Sequence, residues 1–512
     1  MEINIRLGKN FTTQYNRLQN DYGTELARIN GFDDGQLSYT DFIDEFIDKE
    51  TVADASIDCN SNVSHKDIVT LLSEMPKPHR KLLAFNKIYY EYQKKYGFKN
   101  ANEWLRMEWQ GKLYMHDGDT STFKHYCFAY DLKDLAEKGL YFLGNNFNAK
   151  PPKHLITFVD FVKEFIGYAS NRSSGAVGLP NLLPYMYYFW KKDVENHYLG
   201  IGRDAASSAE NYAKQNFQRF IYAVNQPYVR DGQQSAFTNT SVFDRPYFEA
   251  LFGGSEFPDG TFMIDYEDEI IEFQKWYMET MSEIRSENMF TFPVSTISLL
   301  RKEGDYDLNT LDAYEDPEFA AWAIRHNMKW SDSNIFQDTS VNSLSNCCRL
   351  KSDIRDLGYF NSIGGTALKV GSVKVSTINL ARLALDCADE GEYLEELRHR
   401  TLVNIRALDV VRNIIRRNVE KGLLPNFSYG LVDFEHLYNT IGFIGVYETM
   451  KRFGYTREDQ FGNVYYTDEA AAFGEKIFKT MREVADEFIK DEQVDYMINT
   501  EQIPKHHWDI AA

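Results

Sequence analysis

From Gly111 onward, short runs rich in β-branched and aromatic residues alternate with long amphipathic stretches. That alternation constrains the fold more than any other feature of the chain. Gly111-Lys-Leu-Tyr-Met-His116, Met289 to Leu299 and Ser372-Val-Lys-Val-Ser-Thr-Ile-Asn-Leu380 read as strands, the last with clear polar–apolar alternation. Glu392 to Arg417 and Ala470 to Lys490 carry apolar residues at helical spacing. Strands separated by helices of this length predict a largely parallel sheet or barrel of the α/β class. Upstream, Asp67 to Glu74 and Arg80 to Tyr96 also have helical spacing, punctuated by Pro76 and Pro78. No linker, low-complexity tract or repeat divides the chain. The predicted architecture is a helical N-terminal region over residues 1–110 and one large α/β domain over 111–512.

Charge narrows the partners. Lys+Arg is 56 and Asp+Glu is 76, so the formal net charge is −20. A polyphosphate backbone is therefore a poor partner, because it needs a basic face, whereas a single nucleotide needs only a local pocket. Five cysteines in 512 residues do not make a disulfide scaffold. Met-Glu-Ile-Asn-Ile-Arg has no apolar region behind a basic tip, and no run approaches the ~18 apolar residues of a membrane span. The expectation is a soluble cytoplasmic protein with no membrane and no nucleic-acid partner.

The cysteines are Cys59, Cys127, Cys347, Cys348 and Cys387. No Cys-x-x-Cys pair occurs, and His506-His507 lies at the extreme tail, so no metal site is expected. Gly-x-Gly-x-x-Gly, P-loop and Gly-x-Ser-x-Gly signatures are missing, and Gly200-Ile-Gly202 follows no strand. Vicinal cysteines such as Cys347-Cys348 are most often two inert thiols. This pair, however, follows a polar stretch, Ser340 to Asn346, that reads as a loop, where a thiol is more often reactive. Cys127 lies in His125-Tyr-Cys-Phe-Ala-Tyr-Asp131, where a core cysteine is the ordinary reading, and Cys387 follows the apolar Leu383-Ala-Leu385 and reads as structural.

A series of segments resembles one family in that family's own order. Gly111-Lys-Leu-Tyr-Met-His-Asp117 is similar to its "G-x-I-Y-I-H-D" strand, and His125 to Leu132 to the cysteine-bearing strand after it. Ser170 to Pro180, Asn225-Gln-Pro to Ser241 and Phe290-Thr-Phe-Pro-Val294 resemble further strand blocks. Asn346-Cys-Cys-Arg349 resembles the radical-cysteine loop, where a cysteine precedes an arginine. Gly371 to Ala384, Thr440-Ile-Gly-Phe-Ile-Gly-Val-Tyr-Glu448 and Asn499-Thr-Glu-Gln-Ile-Pro504 complete the set. The family is the large catalytic subunit of anaerobic (class III) ribonucleotide reductase, within the glycyl-radical superfamily, and the resemblance runs from about residue 50 to 504.

The resemblance implies a ten-stranded α/β barrel of the ribonucleotide reductase/pyruvate formate-lyase type, with a central finger loop. Cys348 would sit at the loop tip, and its thiyl radical would abstract the ribose 3′-hydrogen so that the 2′-hydroxyl leaves as water. Cys127 would be the second thiol, on the opposite face of the sugar, and Cys347 a spare thiol or part of the redox relay. Asn346 and Ser372 would contact substrate. Ser372 occupies the place where the formate-dependent branch has asparagine, which favours a redoxin-like reductant. The family continues into four zinc-binding cysteines and an "R-V-x-G-Y" motif, whereas this sequence ends at Trp508-Asp-Ile-Ala-Ala512. Arg355-Asp-Leu-Gly358-Tyr359 and Arg452-Phe-Gly454-Tyr455 lie too early and read as turn glycines. The implied cofactor is a glycyl radical, supplied in trans by a C-terminal radical-bearing polypeptide unless the sequence is a truncated or split form. A radical-SAM activase, with its 4Fe-4S cluster and S-adenosylmethionine, would generate it. The N-terminus lacks the basic, glycine-containing pattern of the regulatory ATP-cone. The implied partners also include a ribonucleotide substrate, a dNTP or ATP effector and a second copy in a homodimer. Two other readings stay open: an adenosylcobalamin-dependent (class II) reductase, and a non-catalytic nucleotide-binding subunit.

Overall fold

The computed structural model describes residues 7–29, 37–48, 68–144, 147–203, 206–226, 228–230, 235–288, 290–304, 307, 310–341, 343–345, 351–353 and 368–502. Its main sheet has nine strands: β1 (Leu113–Met115), β2 (Cys127–Ala129), β3 (Val177–Leu179), β4 (Thr238–Phe243), β5 (Val294–Leu300), β6 (Asn334–Asp338), β7 (Val370–Asn379), β8 (Leu437–Ile444) and β9 (Ile498–Gln502). Strands β2 to β6 run parallel in chain order, and β7, β8 and β9 form a second parallel set. The two sets join antiparallel where β2 pairs β7. This is the expected curled α/β architecture of the barrel type, counted as nine strands among the described residues.

Helices make the crossovers that parallel neighbours require. They include α4 (Leu155–Arg172) between β2 and β3, then α5 (Leu182–Glu195) and α6 (Ala206–Val224) before β4. After β4 come α7 (Glu267–Glu287), α8 (Glu390–Glu420) between β7 and β8, and α9 (Asp468–Glu492) before β9. The expected TFP strand begins later than its motif, at Val294, because Pro293 has no N–H to give a ladder.

The N-terminal region is helical as expected, with α1 (Lys9–Ile29), α2 (Lys77–Tyr96) and α3 (Phe98–Trp109). Helix α2 buries Leu82, Phe85, Ile88, Tyr89 and Tyr92, an i, i+3, i+4 stripe. Tyr92 stacks on Trp104 of α3, and its hydroxyl donates to the Val403 carbonyl of α8 at 3.2 Å. Buried Asp409 of α8 ties three segments together. It accepts from Lys95 Nζ at 2.7 Å, Tyr96 at 2.8 Å and Tyr496 at 2.8 Å. The helical region thus packs on the crossover helix behind β7, which fixes the strand that carries Ser372.

Alternation such as that of Ser372 to Leu380 usually marks a strand with one wet face. Here all ten residues of β7 are buried. Helices cover one face, and the polar residues of the other pack inside the curled sheet.

Candidate active site

Strands β1 and β2 lie along the same edge of β7 like one interrupted strand. Met115 pairs Ser376, Cys127 pairs Ser372, and the intervening residues 116–126 make an excursion between them. The register therefore brings two of the sequence-predicted residues, Cys127 and Ser372, directly opposite each other. Ser372 Oγ lies 2.8 Å from Thr440 Oγ1 of β8 and donates to the Lys374 carbonyl at 3.1 Å. A register shift between Tyr438 and Asn439 sits at this point, a β-bulge that re-aims side chains as bulges next to sites do.

The Cys127 thiol is buried. Its Sγ accepts the Ala176 N–H at 3.3 Å. Gly175 must lack a side chain, because a Cβ there would lie 2.3 Å from that sulfur. Gly371 is bound in the same way, since its Cβ would meet the Cys127 carbonyl at 2.2 Å. The turn Ser173 to Ala176 thus confines the thiol, and the start of β7 packs tightly on the backbone of Cys127 and Phe128. Gly175 and Thr440 were not singled out in sequence as site residues, although both stand inside the motifs that carry the resemblance.

Around this corner the sheet presents small uncharged groups. On one face of β4 and β5, Asn239 Nδ2 donates to the Val294 carbonyl and to Thr296 Oγ1, while Thr240 and Ser295 point the other way, to Tyr277 and Met281 of α7. Several groups keep capacity to spare. Asn239 Oδ1, Ser241 Oγ, Ser298 Oγ, Ser376 Oγ and both amide atoms of Asn439 are buried without a hydrogen-bond partner among the described residues. Buried polar groups are costly when unmade, so such a set fits a polyhydroxylated ligand.

Behind it stands a charged corner that sequence reasoning missed. Lys374, between Val373 and Val375, donates Nζ to the His116 carbonyl, and His116 Nε2 lies 2.7 Å from Thr377 Oγ1. Burial pulls the Lys374 amine down to about 7, against the opposing pull of Asp117 and Glu108. Burial pushes the Glu108 carboxyl up to about 7, while it accepts the Met115 N–H at 3.1 Å. A lysine flanked by two valines was the only signal in the sequence.

Asn346, Cys347 and Cys348 lie outside the described residues, as does Gly358-Tyr359. Gly454, the other glycyl-radical lookalike, is a turn glycine after the helix Val446–Arg452, with φ +81°. Gly200 ends a 3₁₀ turn that follows a helix, and Gly202 comes just after it, so no strand precedes either. Among the described residues no group of three or more His, Cys, Asp or Glu side chains is placed to hold a metal, and no helix is long and apolar enough to cross a membrane.

The sequence profile of the family "Anaerobic ribonucleoside-triphosphate reductase" matches residues 77–506. Among solved structures, the anaerobic ribonucleotide reductase from Thermotoga maritima in complex with dATP and CTP is 35% identical. It superimposes with a TM-score of 0.81 over 98% of this chain and 77% of that one. The same enzyme with glycerol in the active site gives 35% identity and a TM-score of 0.83 over 100% and 78%. With dATP bound in the specificity site the values are 34% and 0.82 over 100% and 80%. A comparison with curated proteins finds no match.

Proposed function

The chain belongs to the anaerobic ribonucleoside-triphosphate reductase family, and from that premise we propose that Cys127 and Ser372 form one wall of its catalytic site. The protein is a catalytic subunit of an anaerobic ribonucleotide reductase, and the adenosylcobalamin reading is not favoured. The observation that carries the site assignment is the buried thiol of Cys127, held by the Ala176 N–H opposite Ser372.

The uncharged wall fits the radical chemistry of the family. A glycyl radical, generated by a radical-SAM activase with S-adenosylmethionine, would supply the unpaired electron. Cys348 abstracts the ribose 3′-hydrogen and later returns it. The Cys127 thiol gives a hydrogen atom toward the 2′ carbon as the 2′-hydroxyl leaves as water. A second thiol, with Cys347 the candidate, supplies the other electron and proton as it closes a disulfide with Cys127, and a redoxin-like dithiol then reduces that disulfide by thiol–disulfide exchange. Ser372 and Thr440 orient the sugar, and Asn346 contacts substrate. Ser372 in place of asparagine favours a redoxin-like reductant over formate. CTP and dATP, bound by the Thermotoga maritima enzyme, become substrate and effector here, in a cytoplasmic homodimer. The helical region 1–110 and the barrel 111–512 are two parts of one working unit.

The test is anaerobic reduction of CTP by this protein with the radical-bearing polypeptide, activase and S-adenosylmethionine, followed by electron paramagnetic resonance. A glycyl doublet accompanied by dCTP is expected. Product formed only on addition of adenosylcobalamin, or no radical and no product, would overturn the reading.

A further inference from the structure

A cavity of about 460 Å³ lies between the first turns of α2, the 116–126 excursion and Arg230. Its size suits a small-molecule ligand. In a chain of net charge −20, its wall has the opposite balance: Lys77, Arg80, Lys81, Lys124 and Arg230 against Glu74, Asp117 and Asp119. Two of those carboxylates are already engaged, Glu74 with Lys77 and Asp119 with Arg80 at 3.1 Å. Lys124 Nζ donates to the Asn171 carbonyl at 3.2 Å, and Arg230 donates to the Ser174 carbonyl. Arg80 Nε and Arg230 Nη1 have no acceptor among the described residues. The N-terminus of α2 adds its positive end, since Pro76 offers no side-chain cap.

The cavity also touches the mount of the Cys127 thiol. Thr120 and Arg230 line it. Thr120 Oγ1 is 3.5 Å from Ser174 Oγ, and Arg230 holds the Ser174 carbonyl. Ser174 directly precedes Gly175 and Ala176, which press on and donate to the sulfur. A ligand that draws Arg230 toward itself weakens its grip on this turn.

We propose that this cavity is an anion site for a phosphate-bearing ligand, and that its occupancy is transmitted through Arg230 and Ser174 to Cys127. The binding half stands on the cavity alone, whereas the transmission half rests on the reading of Cys127 as a site thiol.

Calorimetry of the full chain with tripolyphosphate, ATP and inorganic phosphate tests the first half. One tripolyphosphate-binding event should weaken by about tenfold in Arg80→Gln/Lys124→Gln, less in Lys124→Gln alone, and persist in Ser372→Ala. ATP binding more tightly than tripolyphosphate there would identify a nucleotide, and equal affinities the phosphate chain alone. No binding of any of the three, binding indifferent to the double substitution, or loss in Ser372→Ala would overturn the site. For the second half, alkylation of Cys127 by iodoacetamide is followed by peptide mass spectrometry. Saturating tripolyphosphate should change its rate by about threefold in the wild type, partly in Arg230→Lys and not in Arg230→Gln. An unchanged wild-type rate would overturn the transmission and leave the binding result to stand by itself.

Discussion

Cys127 and Cys387 are both buried cysteines, and they differ in everything else. Cys127 opens a strand at the seam of the two half-sheets, opposite a serine, with an N–H aimed at its sulfur. Cys387 ends the helix Leu380–Asp386, and burial together with nearby Glu392 pushes its thiol up, away from the reactive thiolate. Burial alone does not distinguish a working thiol from a packing one. The neighbours do: small uncharged donors and hydroxyls around Cys127, carboxylates and apolar side chains around Cys387.

The largest expected effect breaks that pair apart. Cys127→Ala should lower dCTP formation by roughly a thousandfold, whereas Cys387→Ala should stay within about threefold of wild type. Equal losses in the two would mean that both act only through stability. Gly175→Ala comes next. Its Cβ would meet the sulfur at 2.3 Å, so turnover should fall by about tenfold while thermal stability drops by about 1–3 kcal/mol. Turnover at the wild-type level would show that the clamp does not set the thiol's position.

The charged corner sharpens the comparison through pH. The folded-state amine of Lys374 is depressed to about 7, so between about pH 7 and 10.5 the unfolded chain binds more protons than the folded one. Stability should therefore rise with pH across that window relative to Lys374→Met, by at most about 1.4 kcal/mol per pH unit. Urea midpoints of the two proteins measure it, and parallel curves would contradict the buried, depressed amine. The smallest effect belongs to the hydroxyl pair. Ser372→Ala and Thr440→Val should each cost only a fewfold in turnover, roughly 1 kcal/mol, and complete loss in either would show a larger role than orienting the sugar.

Much of this was legible in the sequence, for physical reasons that differ by region. The alternation in Ser372 to Leu380 and the helical stripe of Arg80 to Tyr96 are local periodicities, and they became β7 and α2. The Cys127–Ser372 pairing rested on motif order, since no local rule links residues so far apart in the chain. The Lys374–Glu108 corner was not legible, because a buried amine and a buried carboxyl meet only after the excursion folds over β7. The clamp by Gly175 was likewise hidden, since a Ser-Ser-Gly turn does not say what it presses on. Cys347 and Cys348, the most conspicuous residues in the sequence, fall outside the described residues, so their assignment still rests on resemblance.

The most direct measurement of the central claim is a single turnover of the activated Cys127→Ala enzyme on CTP tritiated at the 3′ position. The account predicts tritium release to solvent without dCTP, because hydrogen abstraction belongs to the other thiol and reduction to Cys127. Formation of dCTP at the wild-type level would contradict it.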